Sequence, residues 1–315
     1  MEKAIILHNP GAGDEDHAAS DLVKAVEQQG YECTYFSIKK DNDWNANLHL
    51  ADFAVVVGGD GTVRRIAKEL VQWKVLDKKL PLAILPMGTA NNLSQMLGID
   101  PQMNQKSLVS LWKTSIRQRF DLGVMELPGG ETDFFLEGAG FGVFPLLMHK
   151  MDSSDAKEED QPDCIEEKLR LALERLHKLV LNTPTEKFRI ETETETYSGQ
   201  CILLEVMNIR SIGPNIVLSP EASLEDGYLD VVCVEEEHRK AFAKYIKGLL
   251  NGDTNTGDEP QPIKWKTWRT KKVTLHCESE YLHLDDELLP SPSQAIVMES
   301  RENVLEFLIN KPFPL

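Results

Sequence analysis

The sequence predicts an α/β fold with a parallel sheet in its N-terminal half, followed by a strand-rich C-terminal half. Three observations carry this. Phe53-Ala54-Val55-Val56-Val57 is apolar on both faces and ends in Gly58-Gly59-Asp60-Gly61-Thr62, the pattern of a strand covered on both sides. Val63, Ile66, Ala67 and Leu70 follow at i, i+3, i+4 and i+7, which is one helix face. Strand and helix patterns alternate up to about Phe120 and strand patterns dominate beyond it; the alternation implies parallel strands joined by right-handed crossovers.

Composition bounds the class. The chain has 315 residues, enough for two domains, with 41% hydrophobic and 27% charged residues, ordinary values for a globular chain. A formal net charge of −17 argues against nucleic acid as a partner and against general attraction to anionic membranes. No apolar run has the length of a transmembrane segment. Met1-Glu2-Lys3 leads directly into Ala4-Ile5-Ile6-Leu7, too short for a signal-peptide core, so a cytoplasmic location is expected. Five cysteines, at 33, 164, 201, 233 and 277, lack metal-ligand spacing and read as reduced thiols.

In chain order, Ala4–Leu7 is the first strand and His8-Asn9-Pro10-Gly11-Ala12-Gly13 its turn. Ala19, Leu22, Val23 and Val26 give a helix face closed by Gly30. Tyr31–Ile38 is the second strand. Leu80–Leu85 is another apolar run, ending in Pro86-Met87-Gly88-Thr89-Ala90-Asn91-Asn92, with a short helix stopping at Gly98. Three loops, 9–13, 58–62 and 86–92, thus follow strands and open at one sheet edge, as a ligand cleft requires. A glycine turn entering a helix there presents backbone N–H groups that favour a phosphate.

Beyond Phe120, Asp121–Glu126 begins the strand-rich half. Gly138-Ala139-Gly140-Phe141-Gly142 lies in an apolar stretch with no clear helix after it, which speaks against a dinucleotide fingerprint. Residues 153–163 read as an acidic loop. Ile165, Leu169, Ala172, Leu173, Leu176 and Leu179 form an amphipathic helix. Arg189–Val206 reads as a hairpin, Asp226-Gly227 as a turn before a strand, and Lys272–His276 with Tyr281–Leu284 as a second hairpin ending in Asp285-Asp286-Glu287. Val304–Ile309 closes the chain. Lys264-Trp265-Lys266-Thr267-Trp268-Arg269-Thr270-Lys271-Lys272 is basic and tryptophan-bearing, a candidate for transient docking on anionic membranes; a strand with buried tryptophan and solvated lysines is the plainer alternative.

Asn9-Pro10-x-x-Gly13, Gly58-Gly59-Asp60-Gly61-Thr62 and Pro86-x-Gly88-Thr89-Ala90-Asn91, in this order, resemble the nucleotide motifs of the diacylglycerol kinase catalytic-domain family. The resemblance runs from Asn9 to about Ile309. It implies a Rossmann-like nucleotide domain over 1–122, a β-sandwich lipid-substrate domain over 123–315, and transfer of the ATP γ-phosphoryl, with Mg²⁺, to a lipid hydroxyl. The lipid would be met transiently at a membrane surface by a peripherally associated protein; a homodimer is a candidate assembly. No Walker A motif is present. Asn9, Gly13, Gly58, Gly59, Gly61, Thr62, Gly88, Thr89 and Asn91 would therefore hold the nucleotide through backbone N–H groups and side chains. By the same resemblance Asp60 lies at the phosphates, Glu287 is the general base, and Asp226 and Asp230 match a magnesium-holding pair.

Three departures qualify the match. Arg64 and Arg65 stand where the family has Asn and Glu, Asn92 where it has Asp, and Asp286 where it has Gly. Arg64, expected in the first turn of the helix, is a candidate phosphate ligand, and Arg65 a surface residue. An NAD kinase, which shares the Gly-Gly-Asp-Gly loop, and a non-catalytic nucleotide- or lipid-binding homologue are the rival readings.

Overall fold

The computed structural model describes residues 1–12, 19–41, 43–72, 79–152, 164–253 and 265–310. The chain forms two compact units, Met1–Phe120 together with the segment from Asn303, and Asp121–Glu302. The expected division put everything after residue 122 in the second domain; the closing segment instead groups with the first.

The first unit is built from β1 (Lys3–His8), α1 (Ala19–Glu27), β2 (Glu32–Ser37), β3 (Phe53–Gly58), α2 (Asp60–Val71), β4 (Leu82–Pro86), α3 (Asn92–Met96) and α4 (Gln105–Leu111). The strand order is β4-β3-β1-β2, with every pair parallel. All six residues of β3 are buried, as a strand covered on both faces requires. The helix face expected after it is present: Val63, Ile66, Ala67 and Leu70 of α2 are all buried. Gly30 (φ +86°) and Gly98 (φ +69°) follow α1 and α3 in the left-handed region that ends helices.

The chain enters the second unit within β5 (Ile116–Glu126). There follow β6 (Thr132–Phe135), β7 (Gly138–Gly142), α5 (Val143–Asp152), α6 (Ile165–Asn182), β8 (Glu186–Thr192), β9 (Thr196–Met207), β10 (Ser211–Ile212), β11 (Ile216–Val217), β12 (Leu229–Glu235), α7 (Arg239–Leu250), β13 (Lys266–Thr270), β14 (Lys272–Cys277), β15 (Tyr281–Leu284), β16 (Glu287–Pro290) and β17 (Ile296–Ile309). The long β9 organises this half. Its first part pairs with β8, and its second part lies between β7 and β12, all antiparallel. Leu229, Val231 and Cys233 of β12 enter one core, with Phe141, Leu204 and Leu275; Val232 and Val234 enter another, with Leu176 of α6 and Phe242 of α7. Period-two alternation on a strand buried on both faces produces this division.

β17 returns the chain to the first unit. Its first residues pair antiparallel with β14; further on, Phe307 pairs parallel with Leu82 of β4 and packs edge-to-face on Phe120. Two expectations need revision. A helix, α5, does follow the Gly138–Gly142 stretch, but β7 pairs antiparallel with both β9 and β15, so the βαβ unit of a dinucleotide fingerprint is absent. α7 had no counterpart in the sequence reading. The acidic stretch 153–163 lies outside the described residues.

Candidate active site

The order β4-β3-β1-β2 places β1 beside β3 while the chain leaves them in opposite directions across the sheet. Ligands of open α/β sheets bind at such a switch point, outside the carboxyl ends of the strands. The loops after β1, β3 and β4 are joined to one another here. Asn9 Nδ2 donates to Thr62 Oγ1 at 3.1 Å, and the Asn9 side chain accepts from Gly11 N. Asp60 accepts from Asn92 N through Oδ2 at 3.0 Å and from Leu93 N through Oδ1 at 3.1 Å. A carboxylate on two helix-opening N–H groups is a charge-assisted cap.

Gly59 and Gly88 lie back to back. A Cβ on Gly59 would stand 2.7 Å from the Gly88 Cα, and one on Gly88 would stand 2.5 Å from the Gly59 Cα. Only glycine at both positions lets these backbones touch. Gly58 is similarly constrained, because a Cβ there would meet the Thr62 side chain. Asn91 (φ +54°) closes the β4–α3 loop: its Oδ1 accepts from Gly88 N and its Nδ2 donates to Gly88 O, both at 2.8 Å.

Several expected phosphate ligands are therefore engaged in building the loops. α2 begins at Asp60, so Thr62 N already donates to Gly59 O at 2.9 Å. Thr89 stays exposed at the loop tip. Gly13 lies outside the described residues. Arg64 is the fifth residue of α2, past its first turn, and only 4% exposed, whereas Arg65 points to solvent. Lys39 escaped the sequence reading. Two residues beyond β2, its ammonium lies over Gly11, where a Cβ would collide with it. Its only mark in the sequence is a position just past a strand end at the same sheet edge.

In the second unit, Asp285 occupies the two-residue turn between β15 and β16 with φ +51°. Its carboxylate accepts from Leu136 N and Glu137 N, both at 2.8 Å, and from Gly138 N at 3.2 Å. It is thus an anchor of the turn and not a solvated acid. Asp286 is exposed, and the half-buried Glu287 is the first residue of β16.

Comparison with known proteins finds matches in both halves of the chain. Residues 3–125 match the diacylglycerol kinase catalytic domain, and 150–299 match the YegS C-terminal NAD kinase beta sandwich-like domain. The chain thus carries a diacylglycerol kinase catalytic domain over residues 3–125. "Diacylglycerol kinase" of Bacillus subtilis (strain 168) is 26% identical, over 89% of this chain and 90% of that protein. "Probable lipid kinase YegS-like" of Pseudomonas aeruginosa (strain UCBPP-PA14) is 28% identical, over 72% and 70%. A crystal structure of a diacylglycerol kinase from Bacillus anthracis str. Sterne shares the fold at a TM-score of 0.70, with 19% identity over 98% and 97% of the two chains.

The expected metal pair is already engaged. Asp226 forms an ion pair with Arg269 and accepts from Tyr228 N at 3.0 Å. Asp230 is 5% exposed and accepts from Ser219 Oγ at 2.5 Å. Burial holds its carboxyl above the usual range, and the nearby carboxylates of Asp226 and Glu221 push the same way against Ser219 and Arg269. Carboxylate oxygens are the donors a hard cation takes; here Arg269 is paired with that of Asp226.

The basic stretch does not have the character expected of a membrane patch. Trp265 and Trp268 are buried. Lys266 pairs with Glu235, Arg269 with Asp226, Lys271 with Glu302 and Lys272 with Glu299; Lys264 lies outside the described residues. Among the described residues no helix is long and apolar enough to cross a membrane.

Proposed function

We propose that this protein transfers the γ-phosphoryl group of ATP to the hydroxyl of a diacylglycerol-like or sphingoid lipid. The observation carrying this reading is the tying of three strand-end loops at the sheet's switch point by Asn9–Thr62, Asp60–Asn92/Leu93 and Gly59–Gly88. Phosphoryl transfer asks a protein mainly for positioning and charge neutralisation. The touching glycines allow close backbone approach to phosphates, while Lys39 brings positive charge to the same loops and Arg64 is the fifth residue of the helix they open. Glu287 takes the proton of the lipid hydroxyl as its oxygen bonds to phosphorus and the bond to the bridging oxygen of ADP breaks. Mg²⁺, when bound with the nucleotide, would supply further neutralisation of phosphate charge. The lipid itself draws the protein into transient contact with a membrane surface.

Incubation with γ-labelled ATP, Mg²⁺ and a mixed lipid extract tests this reading. Label is expected in the organic phase. Label entering added NAD instead would favour an NAD kinase, and ATP binding without transfer would favour a non-catalytic homologue. The exposure of Arg65 and Asp286 supports an active site that tolerates both departures.

Two narrower outcomes are expected. Arg64→Ala should weaken ATP binding in calorimetry, whereas Arg65→Ala should change stability by no more than about 0.5 kcal/mol and leave ATP affinity alone. ATP affinity indifferent to Arg64→Ala would remove Arg64 from the site. For the metal, Mg²⁺ should raise the wild-type Tm, because a ligand of the native state alone stabilises it. Asp226→Asn and Asp230→Asn should lose that rise, and Arg269→Ala should enlarge it. Equal Mg²⁺-induced shifts in all four proteins would leave the pair a purely structural role.

A further inference from the structure

The second unit buries a charged pair that the reaction described above does not use. Glu205 of β9 and His283 of β15 are 0% and 1% exposed, and Glu205 Oε2 lies 2.9 Å from His283 Nε2. Room for the carboxylate comes from Gly140 on the neighbouring β7, where a Cβ would collide with it. The other ring nitrogen, Nδ1, lies 3.1 Å from the carbonyl oxygen of Asp285. From Asp285 the contacts continue outward: its carboxylate holds the N–H groups of Leu136, Glu137 and Gly138, and its own N–H donates to Gly138 O. Glu287 is the next residue but one, paired with Leu284 across the turn.

A buried ion pair commonly contributes less stability than apolar residues of the same volume, so its presence asks for another account. We propose that Glu205 and His283 are positioning residues that share one proton and thereby fix the turn carrying Glu287. This rests on the reading of Glu287 as the base of a lipid kinase. The proton count follows from the partners. A carbonyl oxygen only accepts, so Nδ1 carries a proton. One further proton lies between Nε2 and Oε2, on either atom, and both arrangements leave the pair neutral with the same hydrogen bond. Loss of that proton turns a lone pair of Nε2 toward a carboxylate, and the ring loses its hold.

Glu205 comes from β9 and Asp285 from the turn, and the Phe144 ring of α5 packs edge-on at 6.4 Å without charge. Burial pushes Glu205 up against the pull of His283. Burial alone would push His283 down, but Glu205 reverses this and holds the imidazole above its ordinary range. Both shifts are upward. For the histidine, the contribution is therefore fully present below its ordinary value and lost as pH rises through the raised one.

The test uses the full chain, with hydrogen exchange of the Leu136–Gly138 amides and phosphorylation of diacylglycerol in mixed micelles, both followed from neutral to alkaline pH. His283→Gln should speed exchange of those amides by about tenfold and lower kcat about 10- to 100-fold, with KM for ATP held within about twofold. Glu205→Gln offers an amide N–H to the neutral ring, keeping the bond without a titratable proton. It should lose far less activity than His283→Gln and abolish the alkaline rise in exchange shown by the wild type. Unchanged exchange in His283→Gln, unchanged kcat despite faster exchange, or a wild-type alkaline profile in Glu205→Gln would each overturn the proposal. If His283→Gln does not fold, Glu205→Gln decides alone. A wild-type protein that phosphorylates no lipid would overturn the kinase reading, and the exchange arm would still judge the pair.

Discussion

Asp60→Asn is expected to reduce phosphoryl-transfer turnover by about 10²–10³-fold, the scale of losing one preorganised electrostatic group, in a protein that still folds. Both carboxylate oxygens accept from the opening N–H groups of α3. An asparagine replaces one oxygen with an NH₂ group, which then confronts a backbone donor. One charge-assisted bond is lost, about 1.5–3 kcal/mol, tolerable against a typical total stability of roughly 5–15 kcal/mol. The catalytic loss should exceed the stability loss because the clamp also maintains the contact between Gly59 and Gly88. Turnover at saturating ATP, measured beside a thermal melt, separates the two effects. A variant with wild-type turnover would show that this loop does not serve the reaction.

Glu287→Gln should act differently. Removing a general base lowers kcat by about 10²–10⁴-fold while ATP affinity holds, because the glutamate belongs to the strand-rich unit and not to the glycine loops. Stability should change far less than turnover: glutamine keeps the shape of the side chain, and the β15–β16 ladder runs through backbone groups. Calorimetric ATP binding equal to wild type together with collapsed turnover is the expected pattern. Retained turnover would assign the proton to another acceptor.

The first unit was largely legible in the sequence because its signals are local. The apolar run of β3, the 3.6-residue spacing of α2 and the turn residues after each strand all lie within a few positions of one another. What the Asp60 side chain holds was not legible, since its partners Asn92 and Leu93 are 32 and 33 residues away. The start of α2 at Asp60 was also missed: three glycines in four positions suggest an open loop, yet Asp60, Gly61 and Thr62 form the first turn. α5 was obscured by its composition. It carries Pro145 in its first turn, where proline is tolerated, and apolar residues on most sides. α7 did show the periodicity, in Phe242, Ala243 and Ile246, but lay between strands that had set the expectation. Glu205 read as an ordinary residue of an apolar strand, and nothing local tied it to His283, 78 positions away.

The homecoming of β17 has a consequence for biosynthesis. The strand that places Phe307 against Leu82 and Phe120 is made only after the whole of Asp121–Glu302. At roughly 5–20 residues per second, that insertion delays it by about 10–40 s on the ribosome. Through this interval the β4 side of the nascent sheet lacks its last neighbour, so the nucleotide-type unit cannot finish folding as an autonomous N-terminal piece. An expression fragment cut at the apparent boundary near residue 122 would be stranded in the same incomplete state, with the inner face of Phe120 bared to water.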